Sequence, residues 1–203
     1  EKGFTESPIL EPSFLYGGFP FKDIQNKFLL AKGSKVNEIE NNLPEGLEYI
    51  ELKGHFFDMI GIKTSDNICF LADSIISQET IEKYHIFYLL DVREFLNTLE
   101  KLERVWANLY IPSHCKATNN IHSLIELNKN KVEEIINIIL EICKREITFE
   151  EILKNIFDRY QLIMNANQYV LIGSTIKSYL SYLYEENKIV YEFKDNKMLW
   201  KKI

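Results

Sequence analysis

The chain has 203 residues, enough for one large domain or a medium one followed by a small one. Its 46% hydrophobic and 27% charged content is that of an ordinary folded protein, and thirteen Phe with eleven Tyr imply an aromatic-rich core or interface. A net charge of −6 leaves no global basic footprint, so nucleic acid is not an expected partner. No apolar run approaches the ~20 residues that span a bilayer and no signal-peptide pattern is seen, so no membrane partner is expected either. Three cysteines, Cys69, Cys115 and Cys143, are an odd number without C-x-x-C spacing; this argues against a disulfide framework and fits a cytoplasmic protein.

Residues 1–21 are rich in Pro, Gly and aromatics and are expected to run extended and irregular. Ile24, Phe28 and Leu29 give helical spacing over Asp23 to Lys32. Short strands are predicted near Lys35 to Ile39 and Leu47 to Leu52, separated by the turn-like NNLPEG. Met59 to Thr64 and Asn67 to Ala72 flank Ser65-Asp66 as a hairpin; the second is apolar throughout and is expected to be buried on both faces. Asp91 opens a helix with the stripe Val92, Phe95, Leu96, Leu99 and Leu102, and Ala107 to Ile111 reads as the next strand. Lys131 to Lys144 is a further amphipathic helix. Thr148 and Glu151 have capping-box spacing, marking a new helix and a boundary near residue 148. Another helix is predicted from about Ser174, then a hairpin of Lys188 to Phe193 and Lys197 to Ile203. Alternating strands and helices without long polar linkers indicate a layered α/β class.

Three of these strands end in metal-capable side chains. His55 sits in LKGHFFDMIGIKT, Asp73 closes NICFLAD, and His114 follows NLYIP. Imidazole, carboxylate and imidazole suit zinc or iron better than an oxygen-only calcium or magnesium site. His85 and His122 read as structural or solvated. Asp58 could approach the same pocket, although a loop-stabilising hydrogen bond is the plainer reading. Cys115, directly after His114, is read as an ordinary loop residue, with a soft ligand or redox-sensitive thiol as the other option. No G-x-S-x-G, G-x-x-x-x-G-K-[ST] or G-x-G-x-x-G pattern occurs, so serine hydrolase, P-loop and Rossmann readings have no support.

Gly-His, then Ile-Gly, then a buried strand ending in Asp, then Pro-Ser-His resembles the second half of a metallo-β-lactamase-fold hydrolase. The resemblance covers residues 1–147, most strongly Leu52 to His114. It implies that His55 binds a first metal, Asp73 bridges two, and His114 binds the second. The two ions would be zinc, with iron or manganese as alternatives. The implied reaction is hydrolysis of an ester, amide, thioester or phosphodiester in a small-molecule substrate by a metal-bound hydroxide. The family's H-x-H-x-D-H signature is missing: the four histidines are His55, His85, His114 and His122, no two separated by one residue.

The resemblance therefore implies the C-terminal part of a longer protein, inactive alone, with an apolar sheet face covered by the N-terminal half or by an oligomer partner. Residues 148–203, ordered helix, helix, hairpin, resemble the small winged-helix-like tail of some members of the superfamily. From Thr148 to Ile203 eight basic residues face seven acidic ones, which points to a packing or dimerisation module rather than a DNA reader. Tyr179, Tyr182 and Tyr184 are expected on its surface. The expected fold is thus part of an αββα sandwich followed by a winged-helix-like domain. The rival readings are a non-catalytic interaction module and a di-iron redox domain of the same fold.

Overall fold

The computed structural model describes residues 10–25, 30 and 37–203. It is a mixed α/β protein with a four-stranded sheet, a three-stranded sheet and helices packed on both. Helix α1 (Leu10–Tyr16) opens it. Strands β1 (Leu47–Glu51), β2 (Ile60–Thr64) and β3 (Ile68–Ala72) form an antiparallel meander. Helices α2 (Gln78–Tyr84) and α3 (Val92–Leu102) cross over to β4 (Leu109–Pro112), which lies parallel to β3. Helix α4 (His122–Ile142) leads to β5 (Ile147–Thr148), α5 (Phe149–Arg159), α6 (Ala166–Glu185), β6 (Ile189–Lys194) and β7 (Lys197–Lys202). The small sheet has the order β5-β7-β6.

Local chemistry sets these boundaries. Ser77 caps α2 through its side chain and Asp91 caps α3, each accepting an N–H in the first turn. Thr148 and Glu151 close the capping box expected for α5. Asp195 and Asn196 have φ of 50° and 59°, the left-handed pair that a two-residue hairpin requires. One hydrophobic core runs from Leu52 through Phe95, Leu99, Ile125, Ile139, Ile156, Tyr179 and Leu183 to Ile189. A smaller one, Leu15, Ile24 and Val170, seats α1 on α6.

Several expectations are corrected. Residues 10–16 are helical rather than irregular. Residues 22–24 form a turn, and most of the helix expected up to Lys32 lies outside the described residues. Of the strand expected at Lys35 to Ile39, Lys35 and Val36 lie outside the described residues, Asn37 and Glu38 are irregular, and Ile39–Asn41 forms one tight helical turn. Helix α4 begins nine residues earlier than expected, at His122, and α6 begins at Ala166 because Asn165 caps it. Tyr179 is fully buried in the core. The strand expected to be covered on both faces is covered on one: Cys69 and Leu71 are buried, whereas Phe70 is 43% exposed. Tyr49, Ile62, Phe70 and Ile111 form a row across the open face, in register over all four strands.

Candidate functional site

Because β1 and β3 are each antiparallel to β2, and β4 is parallel to β3, the C-terminal ends of β1, β3 and β4 meet at one sheet edge. His55, Asp73 and His114 follow those three ends. Such an edge is where open α/β sheets place ligand-binding groups.

Backbone contacts lock each loop. Gly54 has φ +121°, and a β-carbon there would overlap the backbone of Phe95 at the start of α3. The Gly54 carbonyl accepts the N–H groups of both Leu90 and Asp91 at 3.0 Å, and the Lys53 carbonyl accepts Thr98 Oγ1–H at 2.7 Å. The turn carrying His55 is thereby clamped to α3. Ala72 has φ +48°, an uncommon conformation for a residue with a β-carbon, so the chain turns sharply into Asp73. Its carbonyl accepts Ser113 N–H at 2.9 Å, tying the Asp73 turn to the His114 turn. The buried Asn128 of α4 donates to Ile76 O at 2.8 Å and accepts Ile76 N–H at 3.0 Å, holding the segment after Asp73.

The structure brings the three side chains together. His55 Nε2 lies 3.7 Å from Asp73 Oδ2, and His114 Nε2 lies 3.3 Å from Asp73 Oδ1. Asp73 stands between the two imidazoles, one oxygen toward each. His55 Nδ1 and Asp73 Oδ1 are buried and lack a well-formed hydrogen bond. Burial holds the His55 imidazole below its ordinary pKa of 6.5, against the opposing pull of the Asp73 carboxylate and the Tyr88 backbone. The Tyr88 ring meets His55 edge to face, with centroids 5.4 Å apart. Among the described residues, no group of three or more His, Cys, Asp or Glu side chains is disposed around one point to hold a metal ion.

The other candidates fall elsewhere. His85 ends α2 and stacks on Tyr160 with centroids 5.0 Å apart, and His122 begins α4. The Cys115 thiol points at Ile75 O, 3.9 Å away, and burial, with Glu79 nearby, pushes its pKa up to about 11. Asp58 makes no stabilising bond to its loop among the described residues; it lines a cleft beside Gly54 instead. The sequence reading missed Thr175 and Ser178 of α6, which accept the Leu89 and Val92 N–H groups at 3.1 Å each. They brace the segment whose next N–H groups hold Gly54. Their sequence signal is weak, because Ser174, Lys177 and Ser181 also place polar groups in that stretch of helix.

No family model matches the sequence, and no curated protein does. Solved structures do match. A metallo-β-lactamase family protein from Thermus thermophilus superposes with TM-score 0.70 at 14% identity, over 98% of this chain and 67% of that one. A beta-lactamase domain protein from Burkholderia ambifaria superposes with TM-score 0.61 at 14% identity, over 77% of this chain and 48% of that one. Across its described length the chain therefore shares the fold of metallo-β-lactamase family proteins.

Proposed function

We propose that this chain carries part of the metal centre of a metal-dependent hydrolase of the metallo-β-lactamase superfamily, with His55, Asp73 and His114 as ligands. The observation that carries this is the convergence of the three side chains, 18 and 41 positions apart in sequence, at one sheet edge with Asp73 between the imidazoles. A carboxylate offering one oxygen to each imidazole suits a bridging ligand between two ions better than a three-fold site around one. The donor set fits zinc, and iron or manganese as alternatives. Buried His55 Nδ1 and Asp73 Oδ1 without well-formed hydrogen bonds support a polar site awaiting a partner.

The set gives each ion only two protein ligands, whereas zinc takes three or four. The remaining ligands are assigned to polypeptide outside these 203 residues, where an H-x-H-x-D-H element would reside. The same polypeptide, or a second copy of the chain, would cover the open row of Tyr49, Ile62, Phe70 and Ile111. When bound, the ions supply Lewis acidity and lower the pKa of water at a scissile ester, amide, thioester or phosphodiester. His55, Asp73 and His114 would hold the ions, with Gly54 and Ala72 fixing the turns that present His55 and Asp73. Residues 148–203, with sheet order β5-β7-β6 beside α5 and α6, fit a winged-helix-like module, which braces the His55 turn through α6.

The test is His114→Ala in the complete protein. Turnover of ester, thioester or phosphodiester reporters should be lost, and metal per chain, by plasma mass spectrometry, should fall. Unchanged turnover at full occupancy would refute the assignment. If the fold instead serves only protein contacts, neither quantity exists to be lost.

A further inference from the structure

A cleft of about 490 Å³ opens on the same turn as His55, yet none of the three proposed ligands lines it. Its walls include Phe14, Phe56, Phe57, Asp58, Asp91 and Glu94. Phe14 and Phe57 meet edge to face, with centroids 5.5 Å apart, and remain 42% and 46% exposed. Gly54 and Phe56 also line the cleft, so His55 is flanked on both sides by its walls.

The charge balance is one-sided. No cation pairs with Asp58, Asp91 or Glu94 among the described residues. Asp91 Oδ1 accepts the Glu94 N–H at 3.0 Å, and Glu94 Oε1 accepts Asn97 Nδ2–H at 3.2 Å, so both of these partners are neutral donors. Among the described residues Lys53 is the single basic residue on the walls, and its ammonium sits 3.6 Å from Glu51. Exposed aromatic rings and unpaired carboxylates around one concavity recognise a cation on an apolar body. An anionic group would meet three carboxylates there.

We propose that this cleft binds the part of the substrate next to the scissile bond, and that this part is an apolar group bearing an ammonium. The choice of occupant as substrate rests on the hydrolase reading above; the cleft's preference for cations does not. Phenylpropylammonium, phenylpropanol and phenylpropionate, matched in size and differing in charge, are titrated into the metal-free chain while backbone amide resonances are followed. The ammonium should bind about five to ten times more tightly than the alcohol, and the carboxylate most weakly, with shifts at Gly54, Phe57, Leu90 and Glu94.

Asp58→Asn with Glu94→Gln should abolish the ammonium's advantage while leaving the alcohol's affinity as it was, a control for folding. Phe57→Ala should weaken all three probes. Equal binding of the three probes, tightest binding by the carboxylate, or shifts confined to residues outside the cleft would overturn the proposal. Because no metal is present, these outcomes are independent of whether His55, Asp73 and His114 bind one. If the cation preference holds while the complete protein lacks hydrolase activity, the cleft is a ligand site and the substrate reading alone fails.

Discussion

With φ +121° and no room for a β-carbon, Gly54 holds the turn of His55 against the backbone of Phe95. Gly54→Ala combines a disfavoured backbone conformation with overlap against main-chain atoms that cannot rotate away. It should destabilise the fold by at least about 3 kcal/mol in urea unfolding; a loss under about 1 kcal/mol would show that the turn is not clamped. A second residue-scale prediction concerns Glu134. Partial burial raises its pKa, but the Tyr160 hydroxyl at 2.6 Å and the Lys131 ammonium at 2.9 Å outweigh it and hold the carboxyl below its ordinary value. A depressed folded pKa stabilises the protein above the unfolded value of 4.5 and is lost as pH falls through the folded value. Glu134→Gln should therefore flatten the loss of stability between about pH 5 and pH 3, measured by urea midpoints. An unchanged acid slope would show that Glu134 contributes nothing to acid sensitivity. That His55, Asp73 and His114 lie close together could be expected in sequence from their order past three strand ends and from the resemblance this order carries. The roles of Asn128 and Thr175 were not legible, since their partners lie 52 and 86 residues away and no local pattern announces them.

Among the elements, α6 reaches furthest. Thr175 takes the Leu89 N–H, Ser178 takes the Val92 N–H, and Leu90 and Asp91 between them donate to Gly54. Thr175→Val preserves shape but leaves a buried N–H without an acceptor, at a cost of about 1–3 kcal/mol. Amide exchange at Leu90 and Asp91 should rise with it, whereas Thr175→Ser should behave as wild type. Equal exchange in the valine variant would uncouple the C-terminal segment from the His55 turn. The helices α3 and α5 could be read from their stripes and caps because those signals are local. The early starts of α4 and α6 were missed because the polar run Asn128 to Lys131 interrupts the apolar stripe of α4, and the Asn165 cap that starts α6 was not read as one. Phe70 misled for a related reason: an all-apolar strand reads as doubly covered, and sequence cannot show that a covering layer is missing on one side.

For the whole molecule, the row of Tyr49, Ile62, Phe70 and Ile111 lies opposite a face where Cys69 and Leu71 are fully buried. An apolar sheet face of this kind marks an interface. The isolated chain should self-associate in sedimentation at micromolar concentration, and Phe70→Lys should shift it toward monomer; a wild-type chain that stays monomeric would contradict this. Among the described residues no helix is long and apolar enough to cross a membrane. The decisive experiment on the metal centre is a zinc titration of this chain, followed through the imidazole nitrogen resonances of its four histidines. His55 and His114 should respond together, weakly, and lose that response in Asp73→Ala, while His85 and His122 stay unmoved. A response at His85 or His122 without His55 and His114, or none at any of the four, would contradict a metal centre built on Asp73.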